Sequence, residues 1–416
     1  MRGPGKLAGI LALVFVYNVA ASIYNNVLPL LIVSLGLGPL AVSLASFIVN
    51  AAFISLSPYA GRLGDRHGRR PLLVVGALLL LGAAALASLL HGYPAILASA
   101  FLAGAAGAFF SVNATMAVVE IGAVGETRPE KPLASVGLAG GAGWFSGMII
   151  GSRAAHCAGL WAAGLSSLSL AAAALLLAVL VSEPPMLLER VITAKPSMFF
   201  LGVVERVRLV YSYLTSFRRP ARALGALRRR FDYYLAAMMM AFASVSLFFT
   251  QMPVYLRTRL LLSDSEVLKY LSIHSGTSTL VFALLYRGII PTGRVESLLV
   301  AAMAARSAAF LMPLLLAWAP PLLMSLSTFL VTGATWAVIS VSMNSVALSV
   351  AEPARRGEKI GMLNSSVSLG ILIGSVLSGL VAEILGFRAV FVLSSALMTA
   401  SLILVVAVLR PYRSRG

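Results

Sequence analysis

The chain has 416 residues, 59% of them hydrophobic and 11% charged. Soluble domains run about 45–50% apolar and about 25% charged, so a soluble globular protein is excluded and a polytopic membrane protein expected. One cysteine, Cys157, and four histidines leave no intrachain disulfide and no structural zinc cluster to expect. The formal charge of +18 would suggest nucleic acid in a soluble chain, but here its placement about the membrane comes first.

A membrane-crossing helix needs about 20 mostly apolar residues. Apolar runs broken by Gly, Pro and charge give twelve spans in chain order: 7–34, 40–60, 71–90, 94–122, 133–154, 159–182, 232–256, 266–286, 296–316, 321–348, 360–383 and 387–409. The first is too long for a leader's apolar core and runs straight into the second, so it is expected in the mature chain. Lipid offers no partner to free N–H and C=O groups, and the Ala, Leu and Gly content suits packed helices rather than an alternating barrel. The expected class is an all-α polytopic membrane protein.

With both termini cytoplasmic, 26 of the 32 Lys and Arg face inward, while Arg153, Arg257, Arg259, Lys269 and Arg388 face outward and Arg306 lies within a span. That bias sets the expected orientation, in the plasma membrane. With no aromatic-basic platform or groove-binding motif, no nucleic-acid partner is expected.

Residues 183–231 separate two sets of six spans, giving expected units 1–182 and 232–416 with a basic linker between them. Tyr59-Ala60-Gly61 matches Tyr286-Arg287-Gly288, and Val136-Gly137-Leu138 matches Ile360-Gly361-Met362, at offsets of 227 and 224. Nearly equal offsets point to a parallel six-plus-six duplication. From Glu183 to Arg230 the linker carries ten Lys and Arg against three Glu. Within it Val203, Val207, Val210, Leu214 and Phe217 form one helical stripe. The expectation is an amphipathic helix on anionic inner-leaflet lipid; a plain basic tether is the other reading.

Between spans 2 and 3 stands Gly61-Arg62-Leu63-Gly64-Asp65-Arg66-His67-Gly68-Arg69-Arg70-Pro71. Its glycines let two helix ends approach, and Asp65 among four arginines can accept charge-assisted bonds. The loop resembles the signature G-x-L-x-D-R-x-G-R-R/K of the major facilitator superfamily, and every fixed position matches. The resemblance implies that Asp65 faces the start of span 11 near Gly361. It also implies that Arg69 pairs with Glu120, and that Gly61, Gly64, Asp65, Arg66, Gly68, Arg69 and Arg70 form a conformational latch. The latch would close the cytoplasmic side while the cavity faces outward. The second-half loop, Tyr286 to Glu296, keeps Gly288, Gly293 and Arg294 but has no Asp. Drug-proton antiporters of the superfamily carry Arg and Gln where this chain has Ala100 and Ala103, and a span 5 Pro-Gly element where it has glycines without proline.

By the same resemblance spans 1, 4, 7 and 10 line a central cavity. The candidates are Tyr17, Asn18, Ser22 and Asn25 in span 1, Phe110 and Asn113 in span 4, Phe248 and Gln251 in span 7, and Trp336 and Ser340 in span 10. Polar groups at mid-depth cost free energy unless they meet water or a partner, so each has a second reading as interhelical packing. The fourteen acids all fall at span ends, in loops or in the linker, which argues against a buried carboxylate as proton carrier. His274 in span 8 is the candidate carrier, or else a neutral packed histidine. Arg306 in span 9 is an anion site, a buried structural pair or a snorkelling side chain.

An intramembrane enzyme would need HExxH, paired aspartates or a Ser-His pair within the spans, and the sequence has none; no nucleotide loop or cofactor motif is present either. The expected function is secondary transport of a small organic solute by alternating access, as a monomer. Export of an amphipathic compound leads, uptake of a small neutral or anionic metabolite follows, and a receptor or scaffold is the alternative of another class. A synthetic peptide covering Lys195 to Arg230 is expected to gain helicity on anionic vesicles, with about 1 kcal/mol per nearby cation before screening. Circular dichroism that is equal on neutral and anionic vesicles would remove the lipid role.

Overall fold

In the computed structural model residues 3–90, 92–124, 130–183, 225–290, 295–350 and 356–409 are described. Spans 1 to 4 are the helices Gly3–Ser34, Pro39–His67, Arg70–Leu89 and Tyr93–Val124. Spans 5 and 6 share one run, Glu130–Leu180, broken where Ala158 leaves helical geometry and Gly159 adopts a φ of 76°. Glycine takes that left-handed conformation at little cost, so the break has a residue-level cause. Spans 7 to 12 are Gly225–Thr258, Asp264–Tyr286, Val295–Leu315, Pro321–Val350, Arg356–Ile384 and Gly386–Leu409. Span 7 starts at Gly225, inside the stretch expected as linker, because its polar first turns continue the helix past its apolar part. The stripe Val203 to Phe217 lies outside the described residues.

Among the described residues ten helices are long and apolar enough to cross a membrane, one of them the 46-residue run Ser135–Leu180 that holds two spans. Span 8 falls short of that measure. Its first turns carry Asp264, Glu266 and Lys269, and five Ser and Thr follow along the helix. It is tolerated because spans 5 and 10 flank it. There its hydroxyls find partners: Ser275 donates to Met148 Sδ at 3.6 Å, and Thr279 to the Ser275 carbonyl at 2.8 Å.

Each half repeats one packing plan. Span 1 packs on spans 5 and 6, span 4 on spans 2 and 3, and span 3 on span 6. In the second half span 7 packs on spans 11 and 12, span 10 on spans 8 and 9, and span 9 on span 12. Glycines show why the repeat is so close. A methyl group on Gly143 or Gly147 would fall 2.6 or 2.4 Å from the Phe15 or Val19 carbonyl oxygen of span 1. On Gly370 or Gly374, 227 residues later, it would fall 2.1 or 2.2 Å from those of Met239 or Ala243 in span 7. Gly104 against Val49 and Gly333 against His274 form a third such pair, at 2.2 and 2.4 Å. Without a hydrophobic drive between helices in lipid, backbone contact of this kind holds them together.

The two bundles meet through span 2 against span 11 and span 5 against span 8. Their seam is bonded on the side opposite the termini. Ser43 and Ser378 hydroxyls are 2.8 Å apart, Gln251 Nε2 donates to Ser43 Oγ at 3.0 Å and the Pro39 carbonyl at 3.2 Å, and Ser152 donates to the Ser265 carbonyl at 2.8 Å. Cys157 is exposed on this far side, at the turn between spans 5 and 6. With cytoplasmic termini, a membrane-impermeant maleimide is expected to label Cys157 on intact cells, and Cys157→Ser to abolish the label. Labelling only after lysis would invert the orientation.

Candidate functional site

The signature loop folds as a turn that drives Arg69 back into the first bundle. Span 2 ends at His67, Gly68 takes a φ of 90°, and span 3 starts at Arg70. The Arg69 side chain is 1% exposed, beside a Glu120 that is 2% exposed. Its Nη2 lies 3.1 Å from Glu120 Oε1, and its Nη1 donates to Asn113 Oδ1 at 3.2 Å and the Gly61 carbonyl at 3.4 Å. Gly64 leaves the room: a methyl there would fall 1.9 Å from Asn113 Oδ1. Asn113 is therefore not cavity lining. It supports Arg69 and donates from Nδ2 to the Phe109 and Ala60 carbonyls.

Glu183, placed in the linker by sequence reading, belongs to this cluster. Its carboxylate oxygens accept the backbone N–H groups of Arg69 at 2.6 Å and Arg70 at 2.9 Å. Those are orphan donors at the start of span 3, where the helix dipole also favours a negative charge. Lys6 Nζ donates to the Glu183 carbonyl at 3.4 Å, and the Arg70 guanidinium to the Val179 carbonyl. An acid directly after the span 6 apolar run was the available signal. Arg66 is exposed. Asp65 and Gly361 stand in helices, but their side-chain surroundings lie outside the described residues.

A cavity of about 280 Å³ opens at the seam, lined by Tyr17, Asn18, Asn25, Asn50, Phe53 and Trp144 among others, with Ser368 and Ile371 contributed by span 11. Asn18, Asn25 and Asn50 each donate from Nδ2 to the carbonyl four residues back in their own helix, at 2.8 Å. Asn18 Oδ1 in turn accepts from Trp144 Nε1 at 3.0 Å. Each Nδ2 keeps a second N–H beyond its helix bond, and the oxygens of Asn25 and Asn50 remain as acceptors, so the amides can meet both donors and acceptors of a solute. Asn50 of span 2 and Trp144 of span 5 join the lining from helices outside the expected set of spans 1, 4, 7 and 10. The remaining space comes from the small side of span 4, where Ala103, Gly104 and Gly107 line the wall.

Several expected lining residues lie elsewhere. Ser22 is fully buried and donates to the Trp144 carbonyl at 2.8 Å, so it is a bond between spans 1 and 5. Phe110 is 1% exposed and stacks on Tyr17 with centroids 3.5 Å apart, which makes it the backing of the cavity wall. Phe248 packs with Phe310 and Phe391 inside the second bundle, at 4.5 and 5.5 Å. Gln251 belongs to the far-side seam. Trp336 stands edge-on to Phe242 at 5.8 Å and close to Arg306, while the Ser340 carbonyl accepts from Asn344 Nδ2 at 2.8 Å.

His274 and Arg306 share one partner. Thr332 Oγ1 donates to the Thr328 carbonyl at 2.8 Å, so it receives the Nδ1–H of His274 at 3.2 Å. Arg306 Nη1 donates to the Thr332 carbonyl at 3.1 Å. Arg306 is 0% exposed and meets no carboxylate among the described residues, so neither the structural pair nor the snorkelling side chain describes it.

The family model of the Major Facilitator Superfamily matches residues 10–350 and 292–416. No curated protein matches the chain. Among solved structures it resembles a mutant of the nucleoside transporter NupG, at 12% identity and a TM-score of 0.76, over 97% of this chain and 99% of that one. It resembles a peptide transporter POT mutant in complex with sulfate at 15% and 0.75, over 98% and 94%. The human organic anion transporter MFSD10 (TETRAN) is similar at 18% and 0.68, over 97% and 100%. At such identities the likeness shows the fold.

Removing one partner of a buried pair leaves the other charge unpaired, at about 3–5 kcal/mol. Glu120→Ala and Arg69→Ala are each expected to lower the melting temperature clearly, and the double variant to lose less than the sum of the two. Additive losses in a double-mutant cycle would show that the pair is not coupled.

Proposed function

The chain belongs to the Major Facilitator Superfamily, and on that footing we propose a secondary transporter that carries a weakly polar organic solute through the seam cavity. The carrying observation is an amide-and-aromatic cavity lying between bundles that are hydrogen-bonded together on the far side. Phe53, Ile54, Leu80 and Ile371 make most of the wall apolar, and no acid lines it among the described residues. Such a lining suits a solute held by apolar contact and a few hydrogen bonds. Export of an amphipathic compound is our reading of the direction, from cytoplasmic termini and a far side that is shut. Uptake of a small metabolite is the second reading, favoured by nucleoside and peptide transporters standing among the similar folds.

The loop cluster serves as the latch in this reading. Gly61, Gly64 and Gly68 let the helix ends close, Arg69, Arg70 and Glu120 hold span 3 to span 4, and Asp65 with Arg66 is assigned to the start of span 11 near Gly361 by the family resemblance of the loop. A charge at such a seam biases one conformer over another by a few kcal/mol. Asp65→Asn is accordingly expected to slow flux with little change in melting.

The test is solute counterflow in oriented proteoliposomes, with gradients imposed in each direction. His274 is our candidate for any proton coupling. His274→Gln is expected to keep exchange and to lose accumulation driven by a pH gradient, and wild-type accumulation in that variant would make His274 a packing residue. Saturable binding without flux of any solute would favour a receptor instead.

A further inference from the structure

Arg306 lies at the middle of span 9, with its guanidinium wholly buried. One side of that group is engaged, since Nη1 donates to the Thr332 carbonyl at 3.1 Å and Thr335 Oγ1 at 3.4 Å. Its Nε and Nη2 have no hydrogen-bond partner among the described residues. These two nitrogens form one edge, with two parallel N–H bonds pointing the same way. Phe249, Phe310 and Trp336 surround the cation, their ring centroids 5.7, 5.7 and 5.5 Å from Cζ. Aromatic faces attract a cation, but they do not satisfy in-plane N–H donors. A buried charge in a bilayer needs a partner, and such residues are functional by default.

The cage sits one layer behind the bundle seam. Phe249 is half-buried and lies two residues before Gln251, which bonds to Ser43 of the other bundle. His274 joins Arg306 through Thr332 and precedes Ser275, which bonds to Met148 of span 5. Trp336 is half-buried beside it. The parallel N–H pair of an arginine edge fits a carboxylate's two oxygens, a geometry that a lysine cannot offer.

We propose that Arg306 is an anion subsite of the solute site. Its Nε and Nη2 edge takes the carboxylate of an amphipathic organic acid, and the acid's apolar body lies against Phe249 and Trp336. This rests on the transporter reading and narrows its substrate class from weakly polar solutes to organic monocarboxylates.

The test uses the purified full chain and three probes with one apolar body: phenylbutyrate, phenylbutyramide and phenylbutylamine. Melting temperature and intrinsic fluorescence are read, with Trp336→Phe identifying the signal from the cage. Phenylbutyrate is expected to stabilise the wild type saturably at about tenfold lower concentration than the amide, and the amine not at all. Arg306→Lys, which keeps the charge and loses the fork, is expected to weaken the carboxylate by about tenfold. Arg306→Gln is expected to erase its preference over the amide, and if that variant does not fold, the lysine variant and the wild-type selectivity decide. Equal stabilisation by acid and amide, or an undiminished preference in Arg306→Lys, overturns the subsite. Selective binding without phenylbutyrate counterflow in proteoliposomes supports the subsite and counts against the transport reading alone.

Discussion

Hydrocarbon gives a polar group nothing to bond, so every N–H, C=O, hydroxyl and charge within the spans must find its partner inside the protein. The backbone meets this demand by being helical. Side chains meet it locally: Asn18, Asn25, Asn26, Asn50, Asn113 and Asn344 each donate to the carbonyl four residues back in their own helix. Once helices are self-satisfied, they associate by shape, which is why glycines set the closest contacts in both halves. Span 8 shows the rule from the other side. It is polar enough to fail as a lone span, yet Ser272 and Thr279 bond to carbonyls of their own helix and Ser275 donates to the Met148 sulfur of span 5.

The same constraint separates what moves from what does not. Arg69, Glu120, Asn113 and Glu183 bind within one bundle, through a buried ion pair and charge-assisted bonds whose loss costs several kcal/mol. That cluster ties spans 2, 3, 4 and 6 to one another within the first bundle. The far-side seam is made instead of neutral bonds among Ser43, Ser378, Gln251, Ser152 and Ser265. Neutral bonds contribute about 0.5–1.5 kcal/mol each, so a handful of them sums to a few kcal/mol. That is the size of an equilibrium that ligand binding can tip.

The number and order of spans could be read from apolar runs, because a bilayer imposes one length on each. The proximity of Arg69 to Glu120 was readable from the loop motif. The cavity was less legible. A helical face gives a direction but not what stands there, so Asn18 and Asn25 line the cavity while Ser22, on the same face, bonds across to span 5. Aromatic residues mislead for a similar reason: Phe110 and Phe248 stack on other rings inside the bundles. Space itself is made by what is small, and Ala103, Gly104 and Gly107 carry no chemistry that would draw attention in a sequence. Glu183 was hidden by the break in hydropathy, which marks where lipid ends and not where a helix start needs an acceptor.

The two halves share a packing plan but not their electrostatics. In the first, buried Arg69 is matched by a buried carboxylate and an amide oxygen; in the second, buried Arg306 meets hydroxyl, carbonyl and ring groups among the described residues. A duplication that conserves glycine contacts at an offset of 227 residues has therefore diverged where charge is concerned. The first half's charge is neutralised at a loop, close to water, where pairing holds a helix start in place. The second half's charge stays at mid-depth, without a carboxylate partner among the described residues. The shared glycine contacts fix how helices approach in each half, while the placement of charge is free to differ, because backbone packing does not depend on it.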